Sequence, residues 1–195
     1  LTALRPKPLF PVYTVPLLHI TVERLVKAGV REIMVNSHHL SRQITDFLEH
    51  HTGSGASLSH SHEPDLLGTG GAVKKVEWFW GQEPFLVVNG DILHTVDLMA
   101  AYRTHVANGN LATLILHEYP RFNNVEVDGE GTIVGMRDKK VRKTSSATTL
   151  LAFTGIHIIS PQLLDEIPPL RYVDIIEIYG DLAARGLNIR GHCTR

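Results

Sequence analysis

Three short segments combine residue types suited to a phosphorylated ligand. In Arg5-Pro6-Lys7-Pro8-Leu9 two prolines stiffen the backbone around one lysine and fix where its ammonium points, which suits a phosphate. A solvated lysine in a proline-rich turn is the competing reading. In Leu67-Gly68-Thr69-Gly70-Gly71-Ala72 the missing side chains let a ligand approach the backbone, and free N–H groups at the start of the following helix favour anions. A plain turn explains the same residues. No Lys-Ser or Lys-Thr pair follows at P-loop spacing, and no Gly-x-Gly-x-x-Gly fingerprint is present. In Val87-Val88-Asn89-Gly90-Asp91 an apolar strand runs straight into a carboxylate. Asp91 there suits Mg²⁺, which takes one or two carboxylates together with phosphate oxygens and water. A turn or helix cap is the alternative.

Other reactive residue types point nowhere specific. The tightest of the twelve histidines are His38-His39, His50-His51 and His60-x-His62, and none has the spacing of a metal motif. Adjacent histidines on a strand face opposite ways, so they are read as solvent-exposed or capping, with His38-His39 on the expected ligand edge. No Gly-x-Ser-x-Gly elbow supports serine hydrolysis. Cys193, the single cysteine, is read as a buried strand residue rather than a nucleophile, and one cysteine excludes a disulfide framework or a multi-cysteine metal site.

The composition bounds the rest. The 195 residues are 43% hydrophobic and 20% charged, which is one globular domain and not a disordered chain. A formal net charge of -1 argues against a nucleic-acid or anionic-lipid surface. No apolar run approaches the roughly 20 residues that span a bilayer, so no membrane role is expected. Residues 1–7 do not read as a signal peptide, and the sparse cysteine usage suggests a reducing compartment, the cytoplasm. The sequence does not start with Met and is expected to begin part-way through a natural chain.

Periodicity supplies the elements that must hold these segments. A helix is predicted from Pro16 to Ala28, a strand from Val30 to Val35, and a helix on Leu40, Ile44, Phe47 and Leu48. A strand near Ala56 to Ser61, the glycine turn, and a helix through Val73 and Val76 follow. Pro84 to Val88 reads as a central parallel strand covered on both faces. A helix capped by Asp97 and a strand from Leu111 to His117 come next. From Asn124 the period becomes two, giving a β-hairpin around Asp128-Gly129-Glu130-Gly131. The strand Phe153 to Ile159, a short helix from Ser160-Pro161, and a helix from Asp174 to Arg185 complete the pattern. The fold class expected is a single three-layer α/β/α, Rossmann-like domain with a mostly parallel mixed sheet and an inserted hairpin, binding ligands beyond the strands' carboxyl ends.

In order and register, Leu4-Arg5-Pro6-Lys7-Pro8-Leu9-Phe10-Pro11-Val12, Leu67-Gly68-Thr69-Gly70-Gly71-Ala72-Val73, Val88-Asn89-Gly90-Asp91 and Phe153-Thr154-Gly155-Ile156-His157-Ile158-Ile159-Ser160-Pro161 resemble the sugar-1-phosphate nucleotidylyltransferases. The branches most similar are the N-acetylmuramate-1-phosphate uridylyltransferases and mannose-1-phosphate guanylyltransferases. The resemblance implies a GT-A-like nucleotidyltransferase domain that joins a nucleoside triphosphate to a sugar 1-phosphate with Mg²⁺, releasing pyrophosphate. It implies a product destined for a cell-envelope polysaccharide or wall precursor. By the same resemblance Lys7 is the catalytic cation, Asp91 the metal ligand, and Leu67, Gly68, Thr69, Gly70 and Gly71 the nucleotide-binding segment. Asn89, Lys139, Thr154 and Gly155 fall on the sugar-phosphate side.

The same comparison implies parts that these residues do not contain. They are a first strand with a glycine-rich, Arg-bearing loop upstream and a second metal-binding Asp downstream, and Asp138-Lys139-Lys140 differs from the family's more usual Glu-Lys-Pro. Omitting a central strand exposes ladder groups at a cost comparable to a domain's whole stability, on the order of 5–15 kcal/mol. The sequence is therefore expected to be a fragment, inactive as it stands, or to close the gap by pairing its strands differently or with another copy, as a homo-oligomer. Two other readings are carried. One is a regulatory domain that binds nucleotide or sugar phosphate without turnover; the other, a dinucleotide-binding oxidoreductase domain, lacks its fingerprint.

Overall fold

Leu17, Leu18, Val22 and Leu25 recur at helical spacing and are all buried, so they form the inner stripe of helix α1 (Leu17–Lys27). Gly29, at φ +94°, takes the left-handed turn that ends it. These residues belong to a computed structural model that describes residues 3–50, 55–136 and 147–194. Its chain divides into two compact units, Leu1–Leu66 with Asn89–Leu98, and Leu67–Val88 with Met99–Arg195.

The first unit opens with a 3₁₀ turn (Lys7–Leu9) and a tiny antiparallel hairpin of β1 (Pro11–Val12) and β2 (Val15–Pro16), which the sequence pattern did not reveal. After α1 come β3 (Glu32–Ser37), α2 (Ser41–His50) and β4 (Ser57–His62). Strands β3 and β4 pair in parallel from Glu32 opposite Ser57 to Ser37 opposite His62. This is the expected β-α alternation, with the strands one or two residues later than predicted.

The second unit holds α3 (Gly68–Lys75), β5 (Phe85–Val88), the body of α4 (Leu98–Ala107), β6 (Ala112–His117), β7 (Val125–Asp128), β8 (Ile133–Met136), β9 (Thr148–Ile159), α5 (Ile175–Ala184) and β10 (Ile189–Thr194). The predicted hairpin is β7–β8. Its turn is pinned by Asp128, whose Oδ1 accepts from the Glu130 and Thr132 N–H groups at 2.9 and 2.8 Å. Asp174 caps α5 as its sequence position suggests, accepting from the Ile176 N–H at 2.9 Å. Leu114, Leu116, Ile159, Leu163, Tyr179 and Ile189 centre the unit's core.

The class is mixed α/β, as expected, but the balance of strand directions differs from the prediction. β10 runs parallel to β6, whereas β5, β6 and β7 all pair antiparallel with the twelve-residue β9, and β7 pairs antiparallel with β8. The run Phe85–Val88 is thus not a central parallel strand: among the described residues it pairs only with β9, and its side chains are half-buried. An apolar run reports burial and not direction. Here Phe85 and Val87 pack on the core, and Trp80 stacks flat on Phe85 with centroids 4.0 Å apart.

Candidate functional site

Within the first unit, buried Pro6 precedes the 3₁₀ turn and Pro8 lies within it, which holds the Lys7 loop rigid. The Pro8 ring rests on Gly90, where an added Cβ would lie 3.1 Å from Pro8 Cγ. That contact brings the Lys7 loop onto the turn carrying Asp91. Lys7 Nζ donates to Asp91 Oδ2 at 3.4 Å, with side chains 62% and 39% exposed. A pair this open adds little stability. Its cation and its hard oxygen remain accessible to a phosphorylated ligand and a metal. Asn89, two residues before Asp91, is exposed.

Asp91 offers one carboxylate, and among the described residues no group of three or more His, Cys, Asp or Glu side chains gathers into a metal cluster. A single hard oxygen ligand fits Mg²⁺ held mostly by phosphate and water, and does not fit a closed zinc site.

Within the second unit the glycine segment is not a free turn but the first turn of α3. Its glycines are required by the chain's own packing. An added Cβ would lie 2.6 Å from the Val173 carbonyl oxygen at Gly68, 2.8 Å from Val173 Cγ1 at Gly70, and 2.6 Å from the Arg171 oxygen at Gly71. The Gly70 N–H donates to the Val173 oxygen at 3.0 Å, and the Val173 N–H donates to the Leu67 oxygen at 2.8 Å. One of the helix's first donors is therefore already engaged.

Thr154 and Gly155 form a β-bulge. The β6–β9 register jumps from Leu114 opposite His157 to Leu116 opposite Phe153, and Gly155 takes φ +84°. Thr154 Oγ1 donates to the Ile115 oxygen at 2.9 Å, closing the bulge. Lys139 lies outside the described residues.

His38, His39, His50 and His62 are exposed, as read from the sequence, and His51 lies outside the described residues; His60 and the cysteine differ from their readings. His60 is half-buried, its Nε2 2.8 Å from Ser37 Oγ and its Nδ1 3.3 Å from Thr45 Oγ1, and His38 Nδ1 lies 2.8 Å from the Glu63 oxygen. Cys193 is on a strand but exposed, because β10 is the sheet's outer strand.

Sequence reasoning missed two buried histidines. His105 sits between Thr113 Oγ1 (2.9 Å from Nδ1) and Ser160 Oγ (3.0 Å from Nε2). Ser160 Oγ donates to the Asn110 oxygen, so Nε2 carries the proton; with His105 neutral, Nδ1 accepts from the Thr113 hydroxyl, which also accepts from Asn110 Nδ2. Burial pushes its pKa down to about 4. His157 pairs through Nδ1 with the buried Tyr179 hydroxyl, and burial lowers its pKa to about 3. His105 and Ser160 stand 55 residues apart, a separation no local pattern signals.

The sequence profile of the nucleotidyl transferase family matches residues 1–175. The chain belongs to the nucleotidyl transferase family. The N-acetylmuramate alpha-1-phosphate uridylyltransferase of Neisseria meningitidis serogroup B is 36% identical to this nucleotidyl transferase chain over 174 residues, covering 86% of it and 71% of the relative. The UTP–glucose-1-phosphate uridylyltransferase of Synechocystis sp. is 28% identical over 186 residues, covering 87% of the chain; the chain spans 47%, about half, of that protein's length. Among solved structures, HddC from Yersinia pseudotuberculosis superposes with a TM-score of 0.78 at 20% identity, covering 97% of this chain and 81% of that one, which is a likeness of fold. No helix among the described residues is long and apolar enough to cross a membrane.

Proposed function

We propose that this nucleotidyl transferase chain acts as one domain that transfers a nucleoside monophosphate from a nucleoside triphosphate to a sugar 1-phosphate, giving a nucleoside-diphosphate sugar and pyrophosphate. The observation that carries the reading is the Lys7 ammonium 3.4 Å from the Asp91 carboxylate, on a loop and a turn locked together by Pro8 and Gly90. Its companions are the family match and the names of the relatives.

The chemistry asks little of a protein base. An oxygen of the sugar phosphate forms a bond to the α-phosphorus while the bond from that phosphorus to the bridging oxygen breaks, and pyrophosphate leaves with the electron pair. The attacking phosphate is already an anion, so the protein's task is to hold two anions in line and neutralise their charge. Lys7 contacts the triphosphate and stabilises the charge developing on it. Asp91 holds Mg²⁺, which neutralises phosphate oxygens when bound. The backbone of Leu67, Gly68, Thr69, Gly70 and Gly71 takes base and ribose, and Asn89, Thr154, Gly155 and Lys139 take the sugar phosphate. The product is read as an activated sugar for the cell envelope, made in the cytoplasm.

The test is pyrophosphate release with Mg²⁺ across UTP, GTP, dTTP and CTP against several sugar 1-phosphates. One preferred pair is expected. Lys7→Ala and Asp91→Asn are each expected to lower kcat/KM by about 10²-fold or more. Release unchanged in both variants would remove these residues from the mechanism, and no release with any pair by the full-length protein that contains this domain would overturn the reading.

A further inference from the structure

The second unit contains a cavity of about 460 Å³ at the edge of the sheet where β6 and β10 begin. This is the edge of Ser160 and Phe85, opposite the end at which β5 leaves the sheet at Val88. Its walls come from the end of α4, the start of β6, the hairpin turn at Gly131 and the start of β10, the last two joined by the Gly191 N–H donating to the Gly131 oxygen at 2.8 Å.

Arg190 is the feature that gives this cavity a chemistry. Its Nε donates to Asn188 Oδ1 at 3.0 Å, and its Nη1 donates to the Glu130 carbonyl at 3.1 Å and to Thr132 Oγ1 at 2.8 Å. All three acceptors are uncharged. On the same hairpin Asp128 turns its Oδ1 to the Thr132 and Glu130 N–H groups, which together with the Arg190 charge hold its carboxyl below the usual range. The guanidinium is thus held in one orientation by neutral acceptors on two of its nitrogens, with Nη2 as the donor that remains among the described contacts.

The anchor is itself braced. Asn188 Nδ2 donates to Asn110 Oδ1 at 3.2 Å, and Asn110 is fully buried in the His105 ring described above. Beside this cation the wall carries Thr104 and Asn108, whose hydroxyl and amide pair with ligand hydroxyls, and also Glu130 and His192. The volume lies within the roughly 300–1,000 Å³ of small-molecule sites.

We propose that this cavity is a second binding site, for a small phosphorylated polyol such as a sugar phosphate, with Arg190 as its anion contact. The proposal does not rest on nucleotidyl transfer. It is tested by calorimetric titration of the protein with glucose 6-phosphate, inorganic phosphate and glucose. Saturable binding of glucose 6-phosphate is expected, tighter than phosphate and much tighter than glucose. Arg190→Gln and Thr104→Trp are each expected to weaken it at least tenfold, and Lys7→Ala to leave it unchanged. Thr104 is exposed on α4 and takes no part in bracing Arg190, so its variant keeps the test intact should Arg190→Gln unfold. Absence of saturable binding at millimolar concentrations, binding lost in Lys7→Ala, or binding indifferent to Arg190→Gln and Thr104→Trp overturns the proposal. Glucose 6-phosphate binding no tighter than phosphate overturns the polyol assignment.

Discussion

At the scale of single residues, the strongest constraints are on groups that have no room or no water. His105 and His157 are each 1% exposed, with pKa values lowered to about 4 and about 3 by burial. Their unfolded forms bind a proton near pH 6.5, so between that value and pH 4 the unfolded chain holds more protons than the folded one. Stability is therefore complete above pH 6.5 and falls as the pH drops through 4. For His105 alone the loss is on the order of 3 kcal/mol. Urea unfolding from pH 8 to pH 4 is expected to show this decline, and His105→Gln, which keeps a donor toward Ser160, to flatten it. An equal slope in the variant would remove His105 as a cause. The glycines make a second prediction. Gly71→Ala meets the Arg171 oxygen at 2.6 Å and is expected to cost about 1–3 kcal/mol, whereas Gly81, with nothing within 4 Å, is expected to accept Ala with a change of less than about 1 kcal/mol. Matching melting temperatures for the two variants would contradict the packing account of the glycine segment.

At the scale of elements, β9 organises its unit. Residues 156–159 pair with β5, residues 152–159 with β6, and residues 148–151 with β7. The bulge at Thr154–Gly155 interrupts the β6–β9 register and bends β9, re-aiming its side chains between the β7-paired residues and the β5-paired end. Helix α3 shows how one segment answers two demands. Its glycines admit the backbone of residues 171–173, a contact that a reading for ligand approach alone does not anticipate.

At the scale of the molecule, the two units differ in how their backbone is protected. In the second, residues 112–116 of β6 are at most 1% exposed and the strand is flanked by β9 and β10. In the first, β3 and β4 pair only with each other among the described residues, and β4 reads Ser-Leu-Ser-His-Ser-His with one buried residue. Two-stranded pairings are marginal by themselves. Amide hydrogen exchange is expected to be slowest in β6 and its partners and clearly faster in β3 and β4. Uniform protection would show that both units open only with the whole chain.

How much of this was legible in the sequence follows from the range of each interaction. Apolar spacing along α1, the Asp-Gly-Glu-Gly turn of the hairpin and Asp174 before α5 are signals that a residue exchanges with near neighbours, and these elements appear where the spacing puts them. The motifs around Lys7, Gly68 and Asp91 identified the family in the same local way. Strand direction around β9, the meeting of Lys7 with Asp91 across 84 residues, the His105 ring and the Arg190 cavity were decided only in the folded chain. Local periodicity specifies which face of an element is apolar. It carries no information on which distant backbone or side chain will satisfy the polar groups that burial strips of water.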